Sequence, residues 1–577
     1  MSPLIVVLIV FVIYFIGYFF YADFLSKKIF QLRPNFKTPA YTQRDDIDYL
    51  PTPAYILWGH HYASIAGLSP ILGPAVAVIW GWLPALIWIV LGTVLIGAVH
   101  DFASIVLSVR AKGLSIGSIT EYLMGKRAKL LFLLIIFFLF SLAMGVFVLV
   151  LGYLFSAKGF PQVFAPSTVI MIAAITMGFL RFKKNLPMKY LGTGAFLLIL
   201  LSLWWGQHPS SYQLFHLDDP EKAPTQSTWK IVMLIYGFLA SILPVWLLLQ
   251  SRDFLNSLLL YLSMGLLFIG FFLTPVEFMA PAVQFDVPNA PPVFPFLFII
   301  IACGAISGFH SLVSSGTTAK QIDKETDAVI IGYGGMIGES VLGLIAIMAT
   351  TTAFSSSEEW QTAYCDWNAM KSLGIQIGIF ITGGAKFLSS LGISEEYGKG
   401  LLAFVVVSFA LTSLDSATRL LRYNIEELSN FIKKENIRIF FKHRYISSFI
   451  AVLAIGFFAF YEVTDSGGNK LPAGKVLWQL FGTTNQLLGS LALLLASIYL
   501  YSRGKNPLYT MIPMIFVLIV TLVGMIQNIL IFANESGIDL ILITALILFV
   551  ITGWLLVEAF LVVIKYKHKK IKSLDIL

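Results

Sequence analysis

Several ionisable residues fall inside otherwise apolar stretches of the sequence. His60 and His61 are adjacent, His100 precedes Asp101, His310 and Glu339 stand alone, and Asp415 lies one helical turn before Arg419. A charge at the centre of a bilayer costs roughly 2.5 to 3.5 kcal/mol on insertion scales, so such groups face a bundle interior or a water path. Glu339 sits deepest, in a glycine-rich run from Gly332 to Ser340 that lets another helix approach closely. It is the best candidate to carry a proton, with His61 and Asp101 completing a proton-coupling set. The competing role for Glu339 is a single structural hydrogen bond between helices.

His60, His61, His100 and His310 also raise a metal or haem site, because neutral imidazole is the commonest metal ligand. Adjacent His60 and His61 project about 100° apart on a helix, and neither cysteines nor paired carboxylates interleave the four. No cofactor is therefore expected. His100 and Asp101 can orient one another. Asp415 with Arg419, and Arg252 with Asp253, read as local ion pairs. The hydroxyls of Ser314, Ser315, Thr317 and Thr318 could ligate a Na⁺-like cation, or simply bond the carbonyls of their own helix.

The elements that position these groups are membrane helices. Of 577 residues, 58% are hydrophobic and 12% charged, with mean hydropathy +0.83, which excludes an ordinary soluble fold. Apolar runs of spanning length recur from residues 4–21 to 539–564, about fifteen in all. The formal net charge of +8 sets topology and does not point to nucleic acid. Basic loops at 110–129, 181–189, 419–444 and 503–505 and the tail at 565–572 fall on one side if the amino terminus is outside and the carboxyl terminus cytoplasmic. The acidic loops at 216–221, 277–286, 358–366 and 462–465 then fall on the other. The segment 372–397 breaks this alternation as a full span and reads as interfacial or re-entrant. Cys303 and Cys365 differ in expected depth and suggest no disulfide.

Two spans are interrupted near mid-depth: the second at Ala66-Gly67-Leu68-Ser69-Pro70-Ile71-Leu72-Gly73-Pro74, the seventh at Ser241-Ile242-Leu243-Pro244-Val245-Trp246. Broken helices in lipid mark cavities, because freed backbone groups need partners there. Their corresponding positions and opposite directions fit an inverted repeat whose first helices unwind around substrate. The expected architecture is an all-helical transporter with a leucine-transporter-like core of about ten helices over residues 52–420. Residues 1–51 and 421–577 are peripheral. Gly67, Ser69, Gly73, Ser241 and Trp246 are the substrate-binding candidates, since helix-terminal N–H groups there can receive a carboxylate. Rival classes are a channel and a haem- or metal-bearing redox protein. No Walker-type Gly-rich Lys loop supports ATP-driven pumping.

Several stretches resemble the carbon starvation protein A family of bacterial inner-membrane transporters. They are Trp58-Gly59-His60-His61-Tyr62-Ala63-Ser64-Ile65-Ala66-Gly67, Gly97-Ala98-Val99-His100-Asp101-Phe102, Leu243-Pro244-Val245-Trp246, Phe294-Pro295-Phe296 through Gly316-Thr317-Thr318, Gly332 to Ser340, Leu414-Asp415-Ser416-Ala417-Thr418-Arg419, and Leu477 to Gln486. The resemblance implies secondary uptake of a small carbon source, since the family is associated with peptide utilisation and includes proton-coupled pyruvate importers; the coupling ion, H⁺ or Na⁺, stays open. It also implies kinship with the amino acid/polyamine/organocation superfamily and a place in the bacterial inner membrane. It supplies no residue roles, and many members carry Gln where His100 stands.

Overall fold

The computed structural model describes residues 2–45, 48–213, 216–367, 373–464, 470–535 and 540–568. Ser372, Asp465 and the basic tail beyond His568 lie outside the described residues. Where the sequence is continuously apolar the chain is helical, as a lipid-facing backbone must be. Among the described residues, eleven helices are long and apolar enough to cross a membrane, and up to thirteen if two bent pairs each count as one span. The remaining two of the expected fifteen fall on Gln226–Ile242, a helix of 17 residues, and on the interrupted stretch 293–318. A two-stranded antiparallel ribbon joins Glu462–Thr464 to Lys470–Pro472.

Both anticipated breaks are present. Ala54–Ile65 and Ser69–Trp80 meet at 49°. Pro70 cannot donate to Ala66, and Gly67 admits the Ser413 side chain where a Cβ would collide with its hydroxyl. Gln226–Ile242 ends because Leu243 precedes Pro244 and turns extended, at φ −70° and ψ 150°.

A third break was not anticipated. Ile306 and Ser307 are extended between Ala302–Ala305 and Gly308–Val313. Asn485, from Gly474–Ser502, satisfies this break. Its side-chain oxygen accepts from the Phe309 N–H at 2.9 Å and its amide donates to the Ser307 hydroxyl at 3.0 Å.

Leu373–Ser389 packs against the ends of two spans. Gly374 meets Tyr153 near the end of Lys126–Leu154, while Gly383 meets Ala349 near the end of Gly334–Thr352. At the opposite, basic end, the stretch of chain after the first helix is strapped down. Arg110 pairs with buried Glu325 at 2.6 Å and donates to the Phe30 carbonyl at 2.9 Å, and the Thr38 hydroxyl donates to the Ile322 carbonyl at 2.7 Å.

Candidate proton-coupling site and vestibule

Four helical segments bring their ionisable residues to one point. His61 comes from Ala54–Ile65, His100 and Asp101 from Ala98–Arg110, His310 from the short helix after the third break, and Glu339 from Gly334–Thr352. His61, His310, Asp101 and Glu339 are each at most 1% exposed. Asp101 is the hub. Its Oδ1 accepts from His100 Nδ1 at 2.8 Å, and its Oδ2 accepts from His310 Nδ1 at 3.0 Å. His61 Nε2 lies 3.9 Å from the same Oδ2. On its far side, His310 Nε2 lies 3.2 Å from Glu339 Oε2.

This geometry restricts where protons sit. With Nδ1–H committed to Asp101, His310 Nε2 has two options. It accepts from a protonated Glu339, or it carries a proton and faces the Glu339 carboxylate. The two states differ by one proton moved across 3.2 Å. Neither Glu339 oxygen has another hydrogen-bond partner, so nothing else fixes that proton. At the other end, His61 Nδ1 lies 2.9 Å from Thr318 Oγ1. The Thr318 hydroxyl donates to the Leu414 carbonyl at 2.6 Å, so it accepts from His61 Nδ1–H and leaves Nε2, on the Asp101 side, free to take a proton. Gly335 makes room for this ring: a Cβ there would lie 2.9 Å from His61 Cδ2.

The cluster separates two cavities. One, of about 20 Å³, is lined by Gly67, Ser69, Cys303, Ser307, His310 and Ser413. The other, of about 80 Å³, is a vestibule lined by His60, His61, Ser64, Val245, Thr318 and Arg419. The vestibule adjoins a cavity of about 520 Å³ at the basic end, with which it shares Asp48, Gly316, Lys320, Leu420 and Tyr423. The vestibule has room for several waters, so His61 has a route to the basic end.

The other candidates divide. Gly67 and Ser69 line the small cavity with His310. Gly73 packs against the Ile300 carbonyl, Ser241 donates to the Ser448 hydroxyl at 2.6 Å, and the Trp246 ring lies 5.5 Å from Phe182. Among the hydroxyls, Ser315 donates to Ser311 O and Thr317 to Val313 O, Thr318 meets His61, and Ser314 Oγ is buried without a partner. His60 is half-buried in the vestibule wall. Among the described residues no group of three His, Cys, Asp or Glu is arranged to hold a metal ion.

One tertiary ion pair takes the place of both expected local ones. Asp415 pairs with Arg252, not with Arg419, and it accepts from the Tyr236 hydroxyl at 2.6 Å. Arg252 therefore does not pair with Asp253, and it also donates to Thr412 Oγ1 at 2.8 Å. Arg419 turns to the second break, where its Nη2 donates to the carbonyls of Ala240 and Leu243 at 2.6 Å each. Those carbonyls have lost their helical partners, so a cation at the helix end satisfies them. Arg419, read from the charge pattern as the partner of Asp415, thus supports the second break instead, and Asn485 is a site-supporting residue that charges and prolines did not single out. The pair Gly304 and Gly308 around Ser307 was the available signal for the third break.

The family model described as Carbon starvation protein CstA matches residues 2–369 and 356–524. The peptide transporter CstA of Campylobacter jejuni is 33% identical, over 90% of this chain and 79% of that protein. The peptide transporter CstA of Bacillus subtilis is 29% identical over 94% of both chains. The pyruvate/proton symporter BtsT of Escherichia coli is 28% identical over 88% of this chain and 79% of its own. A solved manganese transporter of Eremococcus coleocola aligns with 91% of this chain and 99% of its own at TM-score 0.48 and 13% identity, a likeness too distant to carry an inference. With its many apolar helices, the chain belongs to the carbon starvation protein CstA family and is a multi-pass membrane transporter rather than an enzyme.

Proposed function

We propose that this protein is a proton-coupled secondary transporter that imports a small carboxylate-bearing carbon source, pyruvate or a short peptide, by alternating access. The observation that carries this reading is the buried series Glu339, His310, Asp101, His61, which bridges the small cavity and the vestibule. A proton entering at Glu339 passes to His310 Nε2, and the Asp101 carboxylate stabilises the imidazolium. Release toward His61 and the vestibule follows when the broken helix carrying His61 shifts and closes the 3.9 Å gap. Substrate sits beside His61, between the first broken helix and Val245 after the second. Coupling proton binding to movement of these breaks makes transport of one partner require the other.

The core is an inverted repeat over residues 52–420, with 1–51 and 421–577 peripheral and 372–397 lying at the interface. The amino terminus is outside and the basic end is cytoplasmic, in a bacterial inner membrane. Protons rather than Na⁺ are the coupling ion, a reading supported by the buried contacts that link Glu339, His310, Asp101 and His61. The test is uptake of labelled pyruvate and of a dipeptide into proteoliposomes under an inward proton gradient. Concentrative uptake of one of them, abolished by a protonophore and indifferent to replacing Na⁺ by K⁺, is the expected result. Uptake that needs Na⁺, or that never exceeds equilibration, would refute it.

A further inference from the structure

The inner wall of the vestibule holds two opposite charges that are incompletely satisfied. Asp253, on Leu249–Leu273, and Arg419, on Glu395–Leu428, are 6% and 7% exposed and both line the cavity. Arg419 commits Nη2 to the carbonyls of Ala240 and Leu243, but its buried Nε has no hydrogen-bond partner. Asp253 Oδ1 is likewise buried without one.

The Tyr423 side chain also meets Arg419, but among the described residues no neighbouring group supplies a counter-charge to either residue. Arg252 is taken by Asp415, Tyr236 and Thr412, and among the described residues no ion pair joins Asp253 to Arg419. Asp48 and Lys320 also line the vestibule, but they belong equally to the wider cavity outside it and so stand at its mouth. Charges buried away from bulk water are costly unless paired. Two of opposite sign, facing one cavity without meeting each other, suit a ligand that carries both complements.

We infer that Asp253 and Arg419 form a two-point seat in which Arg419 receives a carboxylate and Asp253 an ammonium. The seat selects a zwitterion with free amino and carboxyl groups, an amino acid or short peptide, over a simple monocarboxylate such as pyruvate. Gln250, Ser64 and His60 line the same cavity and carry further hydrogen-bonding groups. This inference rests on the transport reading above and names the ligand chemistry that reading leaves open.

The test is calorimetric binding to the purified full-length protein, without any gradient. The probes are alanyl-alanine, its N-acetyl derivative, its carboxyl-terminal amide, and pyruvate. Removing one charge-assisted hydrogen bond from a buried site weakens binding roughly 10- to 100-fold, so the free dipeptide should bind and each single-charge probe should be weaker by that factor. In Asp253→Asn, the difference between the dipeptide and its N-acetyl form should disappear. Because Arg419 also holds the second break, its half of the seat is read from the amide probe on unaltered protein.

Pyruvate or the N-acetyl dipeptide binding within about threefold of the free dipeptide, no binding of the dipeptide, or a folded Asp253→Asn protein that keeps the preference would each overturn the seat. The two readings fail separately. Discrimination among these probes without proton movement in vesicles would sink the coupling, whereas proton-driven uptake with no discrimination would sink the seat.

Discussion

Replacing Asp101 by Asn is expected to reduce proton-coupled uptake by about 100-fold or more, while leaving the protein folded and able to bind substrate without a gradient. The carboxylate accepts from two imidazoles at once, His100 at 2.8 Å and His310 at 3.0 Å. An Asn side chain keeps the shape but offers one acceptor oxygen and one amide donor. One of the two rings must then face an N–H, and it can do so only by moving its proton to Nε2. For His310 that places a fixed N–H toward Glu339, and for a neutral ring this closes the acceptor position the proton must enter. The negative charge that favours the imidazolium is also gone. Uptake rates in proteoliposomes, compared with equilibrium binding to the same preparation, check this. A coupled rate within a few-fold of the unaltered protein would exclude Asp101 as the hub.

Asp415→Ala is expected to destabilise the protein by about 3 to 5 kcal/mol, because it leaves Arg252 buried without its counter-charge. Arg252 and Asp415 are each 1% exposed, and Tyr236 and Thr412 close the knot around them. The knot ties Gln226–Ile242, which ends at the second break, to Leu249–Leu273 and Glu395–Leu428. The measurement is the thermal unfolding midpoint of the detergent-solubilised protein in a double-mutant cycle. Strong coupling is expected between positions 252 and 415, and weak coupling between 415 and 419. The reverse would restore the intrahelical pair that the spacing of Asp415 and Arg419 suggests.

That contrast shows what the sequence can and cannot disclose. Charge inside an apolar run is so costly that Glu339, Asp101, His61 and His310 could be picked out as interior groups. Their convergence could not, because four segments separated by long stretches of chain meet only in the folded bundle. The Asp415 to Arg419 spacing misled for the same reason: a helical neighbour is visible in one dimension, whereas Arg252 is reached across a helix interface.

Prolines marked the first two breaks, since Pro70 and Pro244 remove backbone donors. The third break lacks a proline and depends on Asn485 from a distant helix, so its only local trace was the pair of glycines around Ser307. The hydroxyl-rich run from Ser314 to Thr318 divides in the fold: Ser315 and Thr317 donate to carbonyls of their own helix, Thr318 meets His61, and Ser314 is buried without a partner. Only the fold reveals that choice.

The relay itself is tested most directly by proton movement across a sealed membrane. Proteoliposomes containing a trapped pH-sensitive dye are given external substrate with no other driving ion, and the unaltered protein is compared with Glu339→Gln. Substrate-dependent acidification of the lumen by the unaltered protein, and its loss in the folded Glu339→Gln protein, is the expected result. Equal acidification by both proteins, or substrate entry with no acidification by either, would contradict it.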